Sequence, residues 1–218
     1  MARLDAWLKR VPNWAVWLAG FIPLAWLIWL VVTNDLGVDP VKEIEHRLGK
    51  IALWFLVGGL VITPLRSFVG LNLIRYRRAI GLLAFIYVVL HLMAWAVFDM
   101  GLLMSQAIND LFRRPYLIFG ISAFILLIPL AITSNKASIR KLGANWRRLH
   151  WLVYPAVLLG VVHYLWQMKV IRTEGWIWLV VALLLLATRI KWPGSSARSA
   201  PKKGPSKRQQ AINAANKT

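Results

Sequence analysis

Long apolar runs separated by short charged segments dominate the chain. Six of them approach the length of about 20 residues that a helix needs to cross a bilayer core. They cover roughly 14–33, 50–65, 79–98, 115–133, 150–167 and 175–189. This pattern predicts an all-α integral membrane protein: a six-transmembrane-helix bundle within 14–191, a short N-terminal segment 1–13 and a tail 192–218. Arg3, Lys9 and Arg10 precede the first run as they would a signal peptide. The run is too long for such a leader and no small-residue cleavage pattern follows, so it reads as a retained span.

Charge then orients the bundle. Numbering ends and loops alternately from the N-terminus, the odd set holds 20 of the 27 basic residues and a single acid, Asp5. The even set holds seven basic and seven acidic residues, so the entire net charge of +19 falls on one side. The positive-inside rule places that side, with both termini, in the cytoplasm. A multi-pass membrane protein, N-in and C-in, is the expected localisation. The basic clusters flank spans and suit anionic headgroups of membrane lipid better than a phosphate-lined groove, so no nucleic acid is expected. Residues 192–218 are low-complexity and basic, and they read as a disordered cytoplasmic tail.

Composition removes further classes. The absence of cysteine excludes iron–sulfur clusters, thiolate metal sites and covalently attached haem. No loop is long enough for a nicotinamide-binding unit, and neither a dinucleotide fingerprint nor a P-loop is present. Several of the 13 tryptophans, including Trp14, Trp151, Trp166 and Trp176, fall near span ends, where indoles favour the headgroup level.

The histidines carry the candidate chemistry. His150 and His163 stand thirteen residues apart in the fifth run; Arg77 and His91 stand fourteen apart at and in the third. Both runs cross in the same direction, so at about 1.5 Å per residue His91 and His163 share one depth, and Arg77 and His150 another. Two imidazoles facing each other across a bundle are the usual clamp for a b-type haem. The bland readings stand beside it: His91 as an interhelical hydrogen-bonding residue, His150 as a headgroup-level residue beside Arg147 and Arg148, and His46 as an interfacial histidine near an acid. Helix phase puts Arg77 and His91 on one face but separates His150 from His163, unless Pro155 alters the local twist. Gly160, Ala84 and Ala94 are small enough to admit a flat macrocycle, and equally suit helix packing.

The spacing resembles the ferric-reductase-type transmembrane domain, in which two bis-histidine haems stack between two helices. This sequence departs from it at Arg77, where that family has histidine. The longer blocks Asp39-Pro-Val-Lys-Glu-Ile-Glu-His46-Arg-Leu-Gly49, Ile62-Thr-Pro-Leu-Arg66, Arg77-Arg-Ala-Ile-Gly81, Arg114-Pro-Tyr116 and Arg147-Arg-Leu-His150-Trp-Leu-Val-Tyr154, with His163-Tyr-Leu-Trp166, resemble the MsrQ family. That resemblance implies electron transfer from the quinone pool, or from a cytosolic flavin reductase, through haem b to a periplasmic molybdenum reductase, MsrP, which repairs oxidised methionines. It also implies FMN, for whose phosphate Arg66, Arg75 and Arg78 are candidates as cations.

The expected protein is therefore a membrane cytochrome b with one haem or two and no substrate chemistry of its own. His91 and His163 are the expected iron ligands, and His150 the ligand of a second haem. Arg77, which has no lone pair for iron, holds a propionate. The rival is a small transporter using histidines as proton relays, which should place acids within the spans; the runs contain none.

Overall fold

Asp39 and Pro40 start the longest helix among the described residues, ten residues ahead of the apolar run it carries. In the computed structural model, which describes residues 11–168, 170 and 172–189, this helix is α2, Pro40–Pro64. Proline at the first helical position has its φ preset and no N–H to satisfy. The Asp39 side chain accepts from the Lys42 N–H, capping the first turn. The helix therefore begins well before residue 50, and Glu43, Glu45, His46, Arg47 and Lys50 are all helical. Salt bridges Glu43–Arg47 and Asp39–Lys42 line its start.

The other apolar runs fold close to their expected bounds. They form α1, Asn13–Val32; α3, Arg77–Ala94; α5, Tyr116–Ile132; α8, Val153–Trp166; and α9, Thr173–Ala187. Single π-helical turns, Leu65–Val69 and Trp95–Asp99, extend α2 and α3. Two short helices, α6 (Lys136–Leu142) and α7 (Ala144–Leu149), lead through a 3₁₀ turn, His150–Leu152, into α8. That turn lies ahead of Pro155, whose ring and missing N–H disturb the preceding turn of an α-helix. It is where the twist between His150 and His163 departs from ideal. Among the described residues there is no strand.

Among the described residues four helical stretches are long and apolar enough to cross a membrane: Asn13–Val32, Pro40–Val69, Ile74–Asp99 and Ala144–Trp166. A fifth is obtained if Ser105–Arg113 and Tyr116–Ile132, bent by 116°, count as one. The apolar α9 has 15 residues, about 22 Å of rise. The bent partner of α5 is α4, Met104–Arg113, an element that the spanning-length criterion passes over. Its apolar positions, Ala107, Ile108, Leu111 and Phe112, recur at helical spacing, as an amphipathic helix requires. Arg114 holds this corner through ion pairs to Asp99 and Asp110.

All these helices belong to the unit Met1–Ala187; the chain's second unit is Thr188–Thr218. The expected tail, 192–218, and residues 1–10 lie outside the described residues. Two buried clusters hold the helices together, one drawn from α2, α3, α5, α8 and α9 and the other from α1, α2 and α3. Ala84, Ala156 and Ala182 are fully buried, as expected where lipid offers no hydrophobic drive and close backbone approach supplies the packing energy. Large apolar side chains such as Ile22, Trp29, Trp151 and Leu184 point outward. Among the described residues no polar or charged residue is fully buried.

Candidate functional site

His91 lies near the end of α3, and its Nδ1 is 2.9 Å from the main-chain carbonyl of Glu45 on α2. A carbonyl only accepts, so Nδ1 carries the proton and Nε2 keeps its lone pair, the form that binds a metal. The early start of α2 makes this possible, because it brings Glu45 alongside α3 as helical backbone. Glu45 was expected to lie outside the spans; it is instead half-buried, and its Oε1 is buried without a hydrogen-bond partner.

His163, on α8, is arranged in the same way. Its Nδ1 is 2.8 Å from the carbonyl of Tyr116, the first residue of α5. Here too Nδ1 donates and Nε2 is free. The two imidazole rings lie close together, with centroids 6.1 Å apart and planes at 70°. With metal–nitrogen bonds of about 2 Å, two imidazoles holding one ion would have centroids about 6 Å apart, so the separation suits an iron held by both. The dominant helix pairings are α2 with α3 and α5 with α8, whereas among the described residues α3 and α8 do not pack closely. Each histidine helix is thus braced from behind by the helix whose carbonyl it uses. Among the described residues no three His, Cys, Asp or Glu side chains gather as a metal site. The donor set is an opposed histidine pair, suited to the two axial positions of a haem rather than to a tetrahedral zinc centre.

His150 sits at the other level. Its Nδ1 is 3.1 Å from the Trp146 carbonyl and its ring stacks on the Trp146 indole at 3.9 Å. Its Nε2 is buried without a hydrogen-bond partner, an orphaned acceptor such as a metal would satisfy. Arg77, the first residue of α3, is close enough for its charge to act on His150. Arg77 and Arg78 are both exposed, and neither joins the His91–His163 pair. His46 is exposed on α2 and stands apart from it as well. Of the three cations considered for a flavin phosphate, Arg66 and Arg75 share a cleft of about 430 Å³ with Asn72 and Ile74. Arg78 is not among its lining residues.

Small residues divide by role. Ala84 and Ala94 lie in the buried clusters and serve helix packing, whereas a side chain on Gly160 would meet open space. Sequence reasoning passed over Glu45 and Tyr116 as carbonyl acceptors. Both stand inside the blocks that carry the family resemblance, but nothing in a side-chain pattern marks a main-chain acceptor.

A family model described as "Ferric reductase like transmembrane component" matches residues 48–161, taking in His91 and His150 and stopping two residues before His163. Proteins from Brucella ovis, Brucella canis and Brucella suis, each named protein-methionine-sulfoxide reductase heme-binding subunit MsrQ, are 46% identical over 191 residues. The matches cover 85% of this chain and 87% of each relative. The chain belongs to the MsrQ family. No solved structure matches it. Membership extends the likeness beyond the stretch matched by the ferric-reductase model and makes this all-helical membrane protein a relative of heme-binding subunits.

Proposed function

We propose that the chain is a membrane cytochrome b that conducts electrons to a periplasmic methionine sulfoxide reductase, MsrP, in support of the repair of oxidised proteins. The observation that carries this reading is the opposed pair His91 and His163, each with Nδ1 on a carbonyl and Nε2 turned free. His91 and His163 would hold a b-type haem, which when bound supplies a one-electron carrier. The carbonyls of Glu45 and Tyr116 fix the ring orientations and raise imidazole basicity. His150, with its orphaned Nε2, would hold a second haem, and Arg77 a propionate. The donor is a quinol or a cytosolic flavin reductase, and FMN, if carried, would use Arg66 and Arg75 for its phosphate. The bundle crosses the inner membrane six times, α9 making the last crossing, with both termini and the 192–218 tail in the cytoplasm.

One observation favours the proton-relay reading, namely the half-buried carboxyl of Glu45, the residue whose main-chain carbonyl meets His91. An optical spectrum of the purified protein separates the two. A dithionite-reduced b-type α-band supports the cytochrome. Purified protein without haem, produced under haem-sufficient conditions, leaves the relay.

A further inference from the structure

The two imidazoles are seated by one device used twice. A Cβ placed on Gly120 would lie 2.9 Å from both Cε1 and Nδ1 of His163 and 3.2 Å from its Cγ. A Cβ placed on Gly49 would lie 3.1 Å from Cε1, 3.2 Å from Nδ1 and 3.6 Å from Cγ of His91. Each glycine stands four residues after the residue whose carbonyl receives the same ring: Glu45 and Gly49 on α2, Tyr116 and Gly120 on α5.

The spacing has a physical cause. In an α-helix the carbonyl of residue i points at residue i+4, and the Cα–Cβ bond of i+4 leans back toward the N-terminus. Any side chain at i+4 therefore shields that carbonyl from the flank. With glycine there, an imidazole from another helix can lay its Nδ1–Cε1 edge in the vacated space and reach the oxygen. Neither glycine has a positive φ, so backbone conformation does not explain them. In a helix interior each is less favourable than alanine. By contrast, a Cβ on Gly58, also within α2, would meet nothing within 4 Å.

We infer that Gly49 and Gly120 are positioning residues of the His91–His163 centre, each forming with the carbonyl four residues earlier a seat that fixes one imidazole. This rests on reading the two histidines as the ligand pair. The seat at Gly120 is the tighter, so Gly120→Ala should disturb its histidine more than Gly49→Ala does.

The test uses the full-length chain in membranes. Gly49→Ala and Gly120→Ala should each shift the low-spin ferric signal in electron paramagnetic resonance and the midpoint potential of one haem, or lower its occupancy, at wild-type protein levels. Gly58→Ala should leave all three unchanged. Wild-type signals, potentials and occupancy in both seat variants would overturn the inference. If a seat variant fails to accumulate, His91→Ala combined with Gly49→Ala, and His163→Ala combined with Gly120→Ala, decide it by protein level alone. Removing the ring should make the alanine harmless, so each double variant should accumulate like its histidine variant. A double variant that still fails would place the glycine in helix packing and overturn the seat. This second comparison needs no haem, so it also holds should the cytochrome reading fail.

Discussion

The Tyr87 hydroxyl is inserted into the hydrogen-bond ladder of α1, donating to the Gly20 carbonyl at 2.7 Å and accepting from the Leu24 N–H at 3.1 Å. In an uninterrupted helix those two groups would bond to each other. Pro23 lies between them and disturbs the ladder, a recognised cause of a break. The hydroxyl bridges the opening from α3, four residues before His91, and the Tyr87 ring stacks on Phe55 of α2. Close approach is possible because Gly20 has no side chain: a Cβ there would come within 2.3 Å of Leu83. Tyr87→Phe should destabilise the bundle by about 1–2 kcal/mol, the usual consequence of leaving buried partners unsatisfied. Thermal denaturation in detergent should show a lower midpoint with haem content retained. An unchanged midpoint would make the bridge incidental.

Ligation is tested by loss. His91→Ala and His163→Ala should remove the same spectral component, because the two rings lie 6.1 Å apart and loss of either ligand would leave a bis-imidazole site incomplete. His150→Ala should spare that component and affect at most a second. Loss of different components in the His91 and His163 variants, measured by pyridine haemochrome and redox titration, would break the pairing.

The orientation proposed above rests on the 20 basic residues and one acid at alternate ends and loops of the six apolar runs. A reporter active only in the periplasm should be silent when fused after residue 218 and active when inserted near Asp110. The opposite pattern would reverse the direction of electron flow proposed above.

Partner choice is the most specific expectation. In anaerobic membranes the reduced protein should be rapidly reoxidised when MsrP and methionine sulfoxide are both present. Without sulfoxide it should remain reduced. Haem that stayed reduced with both present would leave a membrane cytochrome b with a different acceptor. The corner around α4 adjoins the His91–His163 pair, since Arg114 ties Asp99, which ends the helical stretch carrying His91, to Asp110 and stands two residues before Tyr116, whose carbonyl receives His163. Arg114→Gln should therefore slow this reoxidation several-fold while leaving the reduced spectrum intact, as expected when a docking surface loosens. An unchanged rate would place docking elsewhere.

Much of the architecture was legible along the chain because two of its determinants are one-dimensional. Apolar run length marks out six of the helices, and a fixed rise per residue turns the spacings of Arg77, His91, His150 and His163 into distances along two of them. The run could not reveal where α2 begins. Its first turns are polar, and only the Asp39 cap and Pro40 start them. That extension decides the site, since it delivers the Glu45 carbonyl to His91. The fourth helix was equally hidden from a spanning-length criterion, being amphipathic and lying across the corner before Tyr116.

By itself, then, the sequence determined the helical class and where the apolar helices and the histidines on them fall along the chain, because hydrophobicity and helical rise are properties of residues in order. Tertiary structure alone decided which nitrogen each imidazole leaves free. That choice is made by main-chain carbonyls on other helices, at Glu45 and Tyr116. Every residue has a carbonyl, so no pattern of side chains singles those two out until packing brings a ring against them. Gly49 and Gly120 acquire meaning only at that moment, as the places where a missing side chain lets the ring in.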